Sequence, residues 1–227
     1  MFDKVYLLNL DRDTQKLELM NERLNQIDLK YTRFPAVDGK SISHIYDAKV
    51  QSGKKVHMNS VFRSYGSYGI LKSMENIITD AKTNKYKRIL ILQDDVFFLK
   101  QFHQKLSELD LEKDIIWLGG NQTNWKHVKM NRENNHFWYR PNNHTVGEFA
   151  IIIRDTVYDE LLYLYSLEEM VTDKILNKVA QEHNSSVIYP PLCIPDVSSS
   201  DSGMGKRENS QFYNERMWTT DTENYFI

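Results

Sequence analysis

The pattern of hydrophobic and polar positions predicts strands that alternate with helices. Residues 4–10 form a nearly continuous apolar run, typical of a buried strand, and apolar positions at helical spacing follow from Leu17 to Ile27. The same pattern predicts a helix around residues 71–81 that leads into a second buried strand at 88–92. Further strands are predicted at 31–37, 114–118, 149–153 and 187–189, with helices after Asp155 and from Thr172 to Ala180. This alternation predicts a single α/β domain with one mostly parallel sheet flanked by helices.

Two segments depart from this pattern. Residues 121–143 are polar and aromatic, which favours a long loop with short strands near a site. From residue 198 onward the chain is rich in Ser, Gly and charged residues. We therefore expect a domain at 1–197 and a mobile tail or active-site flap at 198–227.

The strand at 88–92 ends on two adjacent carboxylates, Asp94 and Asp95, before the apolar run 96–98. Buried unpaired charge is costly, so the pair must reach solvent or meet a cation. Ligands bind at the carboxyl ends of strands in open α/β sheets. Asp94 and Asp95 are therefore candidates for binding metal and substrate, although an acidic turn would give the same sequence.

Composition narrows the class of ligand. The 29 basic and 31 acidic residues leave a net charge of −2, which predicts no nucleic-acid partner and requires a local site for any anionic ligand. The chain has neither a GxGxxG turn after the first strand nor a Gly-Lys-Ser/Thr phosphate loop, so a nucleotide would be held in another way.

The single cysteine, Cys193, favours a reducing compartment. With no signal-like start and no apolar window of membrane-spanning length, we expect a cytoplasmic protein without a transmembrane segment.

Several motifs, in this order, resemble those of glycosyltransferase family 25, which includes lipooligosaccharide and procollagen galactosyltransferases. Residues 5–12 are similar to the family's opening strand with its Asn-Leu-Asp-Arg turn, and residues 34–39 to its Ala-Val-Asp-Gly element. Residues 89–96 resemble its Ile-Leu-Glu-Asp-Asp-Val motif. Residues 189–192 and 200–201 resemble its closing elements.

The chain also departs from the family's motifs. Gln93 replaces the acidic residue that precedes the Asp pair. In the Gly-Cys-x-x-Ser-His element, Gly69 and Ser73 are kept, whereas Ile70 and Met74 replace the cysteine and the histidine. These changes favour either a shifted donor preference or weakened activity.

The resemblance implies a GT-A-like fold, a UDP-sugar donor, a divalent cation (Mn²⁺ or Mg²⁺) and inversion at the anomeric carbon. Carboxylates are suitable ligands for such a cation, which would neutralise the leaving diphosphate. Successive side chains on a strand point in opposite directions. We therefore assign Asp95 as the metal ligand, and Asp94 as a contact to ribose or sugar hydroxyls or a second ligand.

An inverting transfer needs a general base for the acceptor hydroxyl, and Asp173 is the first candidate. It follows Thr172, a predicted N-cap, so the helix dipole would favour its ionised form. A first-turn aspartate can equally be structural. Glu148 is the alternative base or a contact to sugar hydroxyls, unless it lies on the rim.

The donor nucleotide is expected at the ends of the first two strands. Asn9, Leu10 and Arg12 could hold uracil and ribose, and the alternative for Arg12 is a plain surface charge. Asp38 either contacts the nucleotide or forms an Asp-Gly turn. Ser73 either contacts the donor or is a structural helix serine.

Two further regions offer candidate ligand contacts. In the tail, Lys206 and Arg207 are candidates for closing over the diphosphate, and a solvated tail is the alternative. Aromatic residues around the irregular segment would suit a sugar acceptor or pack in the core. These are Trp117, Trp125, Trp138 and Tyr139.

The sequence thus predicts an enzyme that transfers a hexose, most simply galactose, from a UDP-sugar to a saccharide or a hydroxylated (hydroxylysine-like) acceptor. The same scaffold could use UDP-glucose or UDP-N-acetylglucosamine. A catalytically silent module that binds nucleotide sugars or glycans is the alternative from another class.

Overall fold

The computed structural model describes residues 1–122, 124–133, 136–199, 208–215 and 222–226. The helices are α1 (Thr14–Gln26), α2 (Ser43–Gln51), α3 (Tyr65–Thr83), α4 (Phe102–Ser107), α5 (Tyr158–Leu167), α6 (Thr172–Glu182) and α7 (Asn209–Glu215). The strands are β1 (Lys4–Asn9), β2 (Thr32–Pro35), β3 (Arg88–Gln93), β4 (Val96–Leu99), β5 (Ile115–Trp117), β6 (Asn121–Gln122), β7 (Met130–Glu133), β8 (His136–Tyr139), β9 (Thr145–Val146), β10 (Ala150–Arg154), β11 (Ser185–Tyr189), β12 (Cys193–Pro195) and β13 (Tyr225–Phe226).

Among the described residues, eight strands form a central sheet in the order β2-β1-β3-β10-β5-β11-β8-β7. β1 pairs in parallel with β2 and β3, and β5 pairs in parallel with β11. β10 lies antiparallel between β3 and β5, and β8 lies antiparallel to β11. The α/β architecture with flanking helices is therefore confirmed, but the sheet is mixed, because some strands run back without the helical crossover that parallel pairing requires.

The buried strands separate two hydrophobic layers. In β3, Ile89 and Ile91 pack into the layer that contains α3, α5 and α6. Leu90 and Leu92 point the other way, into the layer that contains α1, α4 and the small sheet β12-β4-β13. This double burial explains why the sequence of β3 is continuously aliphatic rather than alternating.

The predicted helices and strands are present with shifted bounds, and several short elements were not predicted. α3 begins at Tyr65, where the side chain of Ser64 caps the helix by accepting a hydrogen bond from the Ser67 backbone N–H. α2 has no fully buried residue, so its sequence carries little of the apolar periodicity that predicts a helix. No helix within the described ranges is long and apolar enough to span a membrane.

The described parts of the closing region pack onto the domain. Tyr213 and Tyr225 are 2% and 4% exposed, and β13 pairs with β4. These contacts differ from the solvated tail that the composition predicts, because a few aromatic anchors suffice to hold a polar segment. The candidate flap residues Lys206 and Arg207 lie outside the described residues, as does the motif at 200–201.

Candidate active site

A cleft of about 360 Å³ opens at the carboxyl ends of β1, β2 and β3. It lies at the sheet edge where α/β proteins bind ligands. The predicted site residues of the described chain all line it: Asn9, Leu10, Arg12, Asp38, Ser73, Asp94, Asp95, Glu148 and Asp173. Residues that are up to 164 positions apart in sequence thus lie in one cavity. They meet there because the parallel strands β1, β2 and β3 end at the same edge of the sheet and the β9–β10 connection reaches that edge.

Asn9 connects the loops that form one wall of the cleft. Its amide Nδ2 donates to the Asp94 carboxylate at 2.7 Å and to the Asp13 carbonyl at 3.0 Å. Its Oδ1 accepts a hydrogen bond from Arg33 at 2.9 Å. Asn9 is 1% exposed, so its side chain holds the turns after β1 and β3 together and orients Asp94.

Asp94 and Asp95 lie in the turn between β3 and β4 rather than on the extended strand. The strand alternation used to assign their separate roles therefore does not apply. Asp95 Oδ1 is buried and has no hydrogen-bond partner among the described residues. Burial and the neighbouring Asp94 charge raise the pKa of Asp95 to about 7, against a smaller opposing effect of Lys16.

This turn fits a hard divalent cation. A buried carboxylate oxygen without a partner beside a second carboxylate is an incomplete arrangement that a cation would complete. Within the described ranges, no three acidic, His or Cys side chains surround one point. Asp94 and Asp95 would therefore supply the protein ligands, with the remaining positions left to water or substrate oxygens, as is usual for Mg²⁺ at phosphate sites.

Arg12 and Asp38 form an ion pair across the cleft mouth. Asp38 Oδ1 also accepts a hydrogen bond from the Lys40 backbone N–H at 3.0 Å, which is the turn geometry that the Asp-Gly sequence indicates. The two predicted nucleotide contacts are thus paired with each other, and Asp38 has a structural role in its turn.

A close approach of backbones sets the position of α3 against this wall. A Cβ on Gly69 would lie 2.5 Å from the Val37 carbonyl oxygen, so only glycine fits there. One turn later, Ser73 Oγ accepts from Val37 N–H and donates to the Gly69 carbonyl, both at 2.8 Å. Both of these hydrogen bonds go to the protein, which favours the structural reading of Ser73.

Glu148 and Asp173 form a second carboxylate pair in the cleft. Asp173 Oδ1 accepts a hydrogen bond from the Gly147 backbone N–H at 2.8 Å. Glu148 Oε1 accepts one from the Thr172 hydroxyl, and its buried Oε2 has no partner among the described residues. Each carboxylate is thus held by the residue that precedes the other one.

Burial controls the protonation of this pair. It raises the pKa of Glu148 well above its usual range, and the neighbouring Asp173 charge raises it further. Burial also raises the pKa of Asp173, although the Gly147 N–H and Arg63 partly oppose this. Glu148 is therefore the member of the pair whose protonated form is favoured more strongly, whereas Asp173 has contacts that favour its ionised form.

The start of α6 differs from the prediction. Its N-cap is Val171, and Thr172 is the first helical residue, with its hydroxyl directed to Glu148. The preceding segment is fixed by buried Glu168, which ion-pairs with Lys72 at 2.6 Å. Tertiary contacts, and not a local cap, therefore set the position of Asp173.

The departures from the family's motifs fall in different environments. Met74 is fully buried in the α3 layer and does not line the cleft. Gln93 and Ile70 do line it. The position of the replaced histidine is therefore remote from the cleft lining, whereas the position of the replaced acid presents a neutral amide to the cleft.

The aromatic cluster does not form a sugar platform in this cleft. Trp117 is a core residue with 2% exposure, and Trp125 packs edge-on against Tyr139 and Tyr189. Lys113 lies 3.8 Å above the ring of Trp138. None of these aromatic residues lines the described cleft, and Trp117 and Tyr139 are buried in the core.

The polar residues that line the cleft without having been predicted as site residues include Lys16, Arg63 and Asn121. Lys16 acts on Asp95, whereas Arg63 acts on Glu148 and Asp173. Asn121 is 7% exposed and its Oδ1 has no partner among the described residues. The sequence gives little signal for them, because they come from a helix face, a three-residue 3-10 helix and a two-residue strand.

Comparison with protein families matches residues 2–184 to glycosyltransferase family 25, described as an LPS biosynthesis protein family. Among curated proteins, a glycosyltransferase 25 family member of Drosophila melanogaster is 29% identical over 127 residues, or 52% of this chain and 21% of the relative. A second such member, from Aedes aegypti, is 24% identical over 77% of this chain and 29% of its own length.

A procollagen lysyl hydroxylase and glycosyltransferase of Acanthamoeba polyphaga mimivirus is 26% identical over 52% of this chain. The matched stretch is 15% of that protein, so this chain corresponds to a small part of each of these relatives. The family match, in contrast, spans most of the chain and includes the strands and turns that carry both carboxylate pairs. This chain belongs to glycosyltransferase family 25.

Proposed function

We propose that the protein is a metal-dependent inverting glycosyltransferase that moves a hexose, most simply galactose, from a UDP-sugar to a hydroxyl group of a saccharide or hydroxylated acceptor. The observation that carries this proposal is that a single cleft contains two carboxylate pairs in different environments. One is a turn with a buried unpartnered oxygen at Asp95. The other is the Glu148–Asp173 pair, in which burial raises the pKa of both carboxyl groups and the Gly147 N–H partly opposes this at Asp173.

In this proposal, Asp94 and Asp95 would hold a divalent cation at the turn, on the side of the cleft that receives the diphosphate end of the donor. When bound, the cation would neutralise the phosphate charge that develops as the sugar leaves. Asn9 keeps Asp94 in place through its 2.7 Å hydrogen bond. Lys16 lies on the same cleft wall and supplies a positive charge near Asp95.

Asp173 accepts the proton of the acceptor hydroxyl. The acceptor oxygen then forms a bond to the anomeric carbon, while the bond from that carbon to the phosphate oxygen breaks. The electron pair leaves with UDP, and the anomeric configuration is inverted. Glu148 remains protonated during this step and can donate a hydrogen bond to a sugar oxygen through its unpartnered carboxyl oxygen.

UDP binding measured by titration calorimetry, with and without Mn²⁺, tests the metal site. We expect Mn²⁺ to strengthen UDP binding to the wild type, and Asp95→Ala to abolish this dependence. Glu169→Ala is a matched control, since Glu169 is an exposed acidic residue that does not line the cleft. Binding that does not depend on Mn²⁺, or a dependence that Asp95→Ala leaves unchanged, would disprove the metal assignment.

Donor hydrolysis without an acceptor separates the candidate activities. UDP-galactose, UDP-glucose and UDP-N-acetylglucosamine are incubated with the full chain and Mn²⁺, and UDP release is measured. Fastest release from UDP-galactose supports the proposed donor, and fastest release from another sugar assigns that donor instead. UDP binding without release from any donor would favour the silent binding module. The neutral Gln93 in the cleft, where the family motif has an acidic residue, is the structural argument for that module.

A further inference from the structure

Arg63 is a cation in the cleft whose orientation is fixed before any ligand binds. It is exposed on the cleft wall, and its Nε donates to Ser67 Oγ at 2.7 Å. Ser67 is only 5% exposed, and its Oγ lies 3.0 Å from Ser64 Oγ, the capping group of α3. The guanidinium is therefore anchored on one edge to buried Ser67, whose hydroxyl is in turn bonded to half-buried Ser64 at the start of a long helix.

The opposite edge of the guanidinium is open. Within the described ranges, the terminal nitrogens of Arg63 form no hydrogen bond and no ion pair. Arg63 acts at longer range on Glu148 and Asp173, where its charge favours the ionised carboxylates. The cations that act on Asp95 are instead Lys16 and Arg23. Arg63 thus belongs to the side of the cleft that contains the proposed base.

This arrangement presents both donors and acceptors to a ligand. The planar guanidinium has parallel N–H donors that suit two neighbouring oxygen atoms. The protonated Glu148 carboxyl group can donate a hydrogen bond through its unpartnered oxygen, and the Asp173 carboxylate accepts hydrogen bonds. Neighbouring sugar hydroxyls both donate and accept, so they match this set, whereas the fixed positive charge of Arg63 repels an ammonium group.

We propose that Arg63 binds two neighbouring hydroxyl groups of a saccharide acceptor and thereby directs the reacting hydroxyl to Asp173. This inference rests on the proposed transfer function and makes it more specific. Of the two acceptor classes considered, it selects the saccharide over an amine-bearing, hydroxylysine-like acceptor.

The test compares acceptor use and donor use in the full chain. Arg63→Gln and Arg63→Lys are assayed with methyl galactoside, glucoside, mannoside and N-acetylglucosaminide, with hydroxylysine as the amine-bearing acceptor. We expect Arg63→Gln to lower kcat/KM for the saccharide acceptor roughly 10- to 100-fold, since a hydrogen bond to a charged group contributes about 1.5–3 kcal/mol. Mn²⁺-dependent UDP binding should stay unchanged, because the cations that act on the Asp94–Asp95 turn are Lys16 and Arg23.

Monodeoxy analogues of the best methyl glycoside identify the contacted hydroxyls. Removal of a hydroxyl that Arg63 binds should weaken transfer by the wild type but have little further effect on Arg63→Gln. Arg132→Gln is the matched control, because Arg132 is an exposed arginine of the edge strand β7 that does not line the cleft. This control should behave as the wild type in every assay.

Three results would overturn the role of Arg63: unchanged acceptor kinetics in Arg63→Gln, equal discrimination of deoxy analogues by both proteins, or preferred transfer to hydroxylysine.

Saturation-transfer NMR of the methyl glycosides measures acceptor binding without turnover. If the wild type releases no UDP from any donor, the proposed function fails. Even in that case, the glycosides should bind to the wild type and not to Arg63→Gln. Equal binding to both proteins would refute the Arg63 assignment independently of the proposed function.

Discussion

At the scale of single residues, the cleft places two chemically similar carboxyl groups, Glu148 and Asp173, in surroundings that favour different protonation forms. Asp173 has a backbone N–H donor and a nearby guanidinium, both of which favour its ionised form. Glu148 is more deeply buried and has a neutral hydroxyl as its partner. Different environments of this kind are how a pair of acids is divided into one proton acceptor and one neutral donor.

Asp173→Asn should retain donor binding and lose transfer. The amide keeps the size of the side chain but cannot accept the acceptor proton, so we expect kcat to fall roughly 10²- to 10⁴-fold. The measurements are UDP affinity with Mn²⁺ and the rate of transfer to the best glycoside. Transfer at the wild-type rate would exclude Asp173 as the base.

Glu148→Gln should stabilise the folded protein more at pH 8 than at pH 5. The pKa of Glu148 is raised in the folded state, so the fold binds this proton more tightly than the unfolded chain, and stability is lost as the pH rises above the ordinary value of 4.5. Asp173, Arg63 and Tyr165 are the ionisable groups that face Glu148. The neutral amide removes this cost at high pH.

Thermal melting at both pH values measures the effect, with Glu169→Gln as the exposed control. The Tm difference between Glu148→Gln and the wild type should increase by a few degrees from pH 5 to pH 8. A difference that is constant with pH, or that decreases, would contradict the raised pKa.

At the scale of elements, the contact between α3 and the loop after β2 fixes one wall of the cleft. The backbones meet at Gly39 and Gly69, where added Cβ atoms would lie 1.8 Å and 2.5 Å from carbonyl oxygens. Ser73 then bonds to both segments. The glycine and serine of this helix start are therefore explained by packing, without a ligand contact.

Gly69→Ala should destabilise the protein by about 1–3 kcal/mol, because the new methyl group meets backbone atoms that cannot rotate away. Gly66→Ala, one turn earlier, is the matched control. Its Cβ would have only Ser64 Oγ nearby, at 3.8 Å, so the substitution should be neutral or stabilise α3 by about 0.5–1 kcal/mol. Urea unfolding compares the two variants, and equal effects would refute the packing argument.

At the scale of the whole molecule, the described parts of the closing region pack into the hydrophobic layer that contains α1, α4 and the small sheet β12-β4-β13. Tyr225 packs with β4 and β12 and donates a hydrogen bond to the Pro191 carbonyl. Tyr213 donates one to the Pro195 carbonyl at 2.7 Å. The chain therefore returns to the layer that supports the Asp94–Asp95 turn, through the β12–β4 pairing.

Tyr225→Ala should lower the free energy of unfolding by about 3–5 kcal/mol, the usual cost of removing a buried aromatic side chain. The control is Tyr163→Ala, since Tyr163 is 63% exposed and its loss should cost about 0.5 kcal/mol or less. Urea unfolding monitored by circular dichroism measures both. A value near zero for Tyr225→Ala would mean that the end of the chain is solvated, as the composition predicted.

The sequence by itself determined the elements and the identity of the main acidic residues. Continuous aliphatic runs predicted β1 and β3, because strands buried on both faces need apolar side chains in both directions. The charges at Asp94 and Asp95 were conspicuous because they interrupt such a run. These signals are local, so they can be detected without knowing what lies opposite in space.

Only the tertiary structure decided which groups act on each other. The pairing of Arg12 with Asp38, the hydrogen bonds of Ser73, and the position of Arg63 beside Glu148 and Asp173 all join residues from separate elements. The antiparallel insertion of β10 and the packing of Tyr225 are likewise non-local. Burial and charge proximity set the pKa of each carboxyl group, and both depend on atoms that the chain brings together only when it folds.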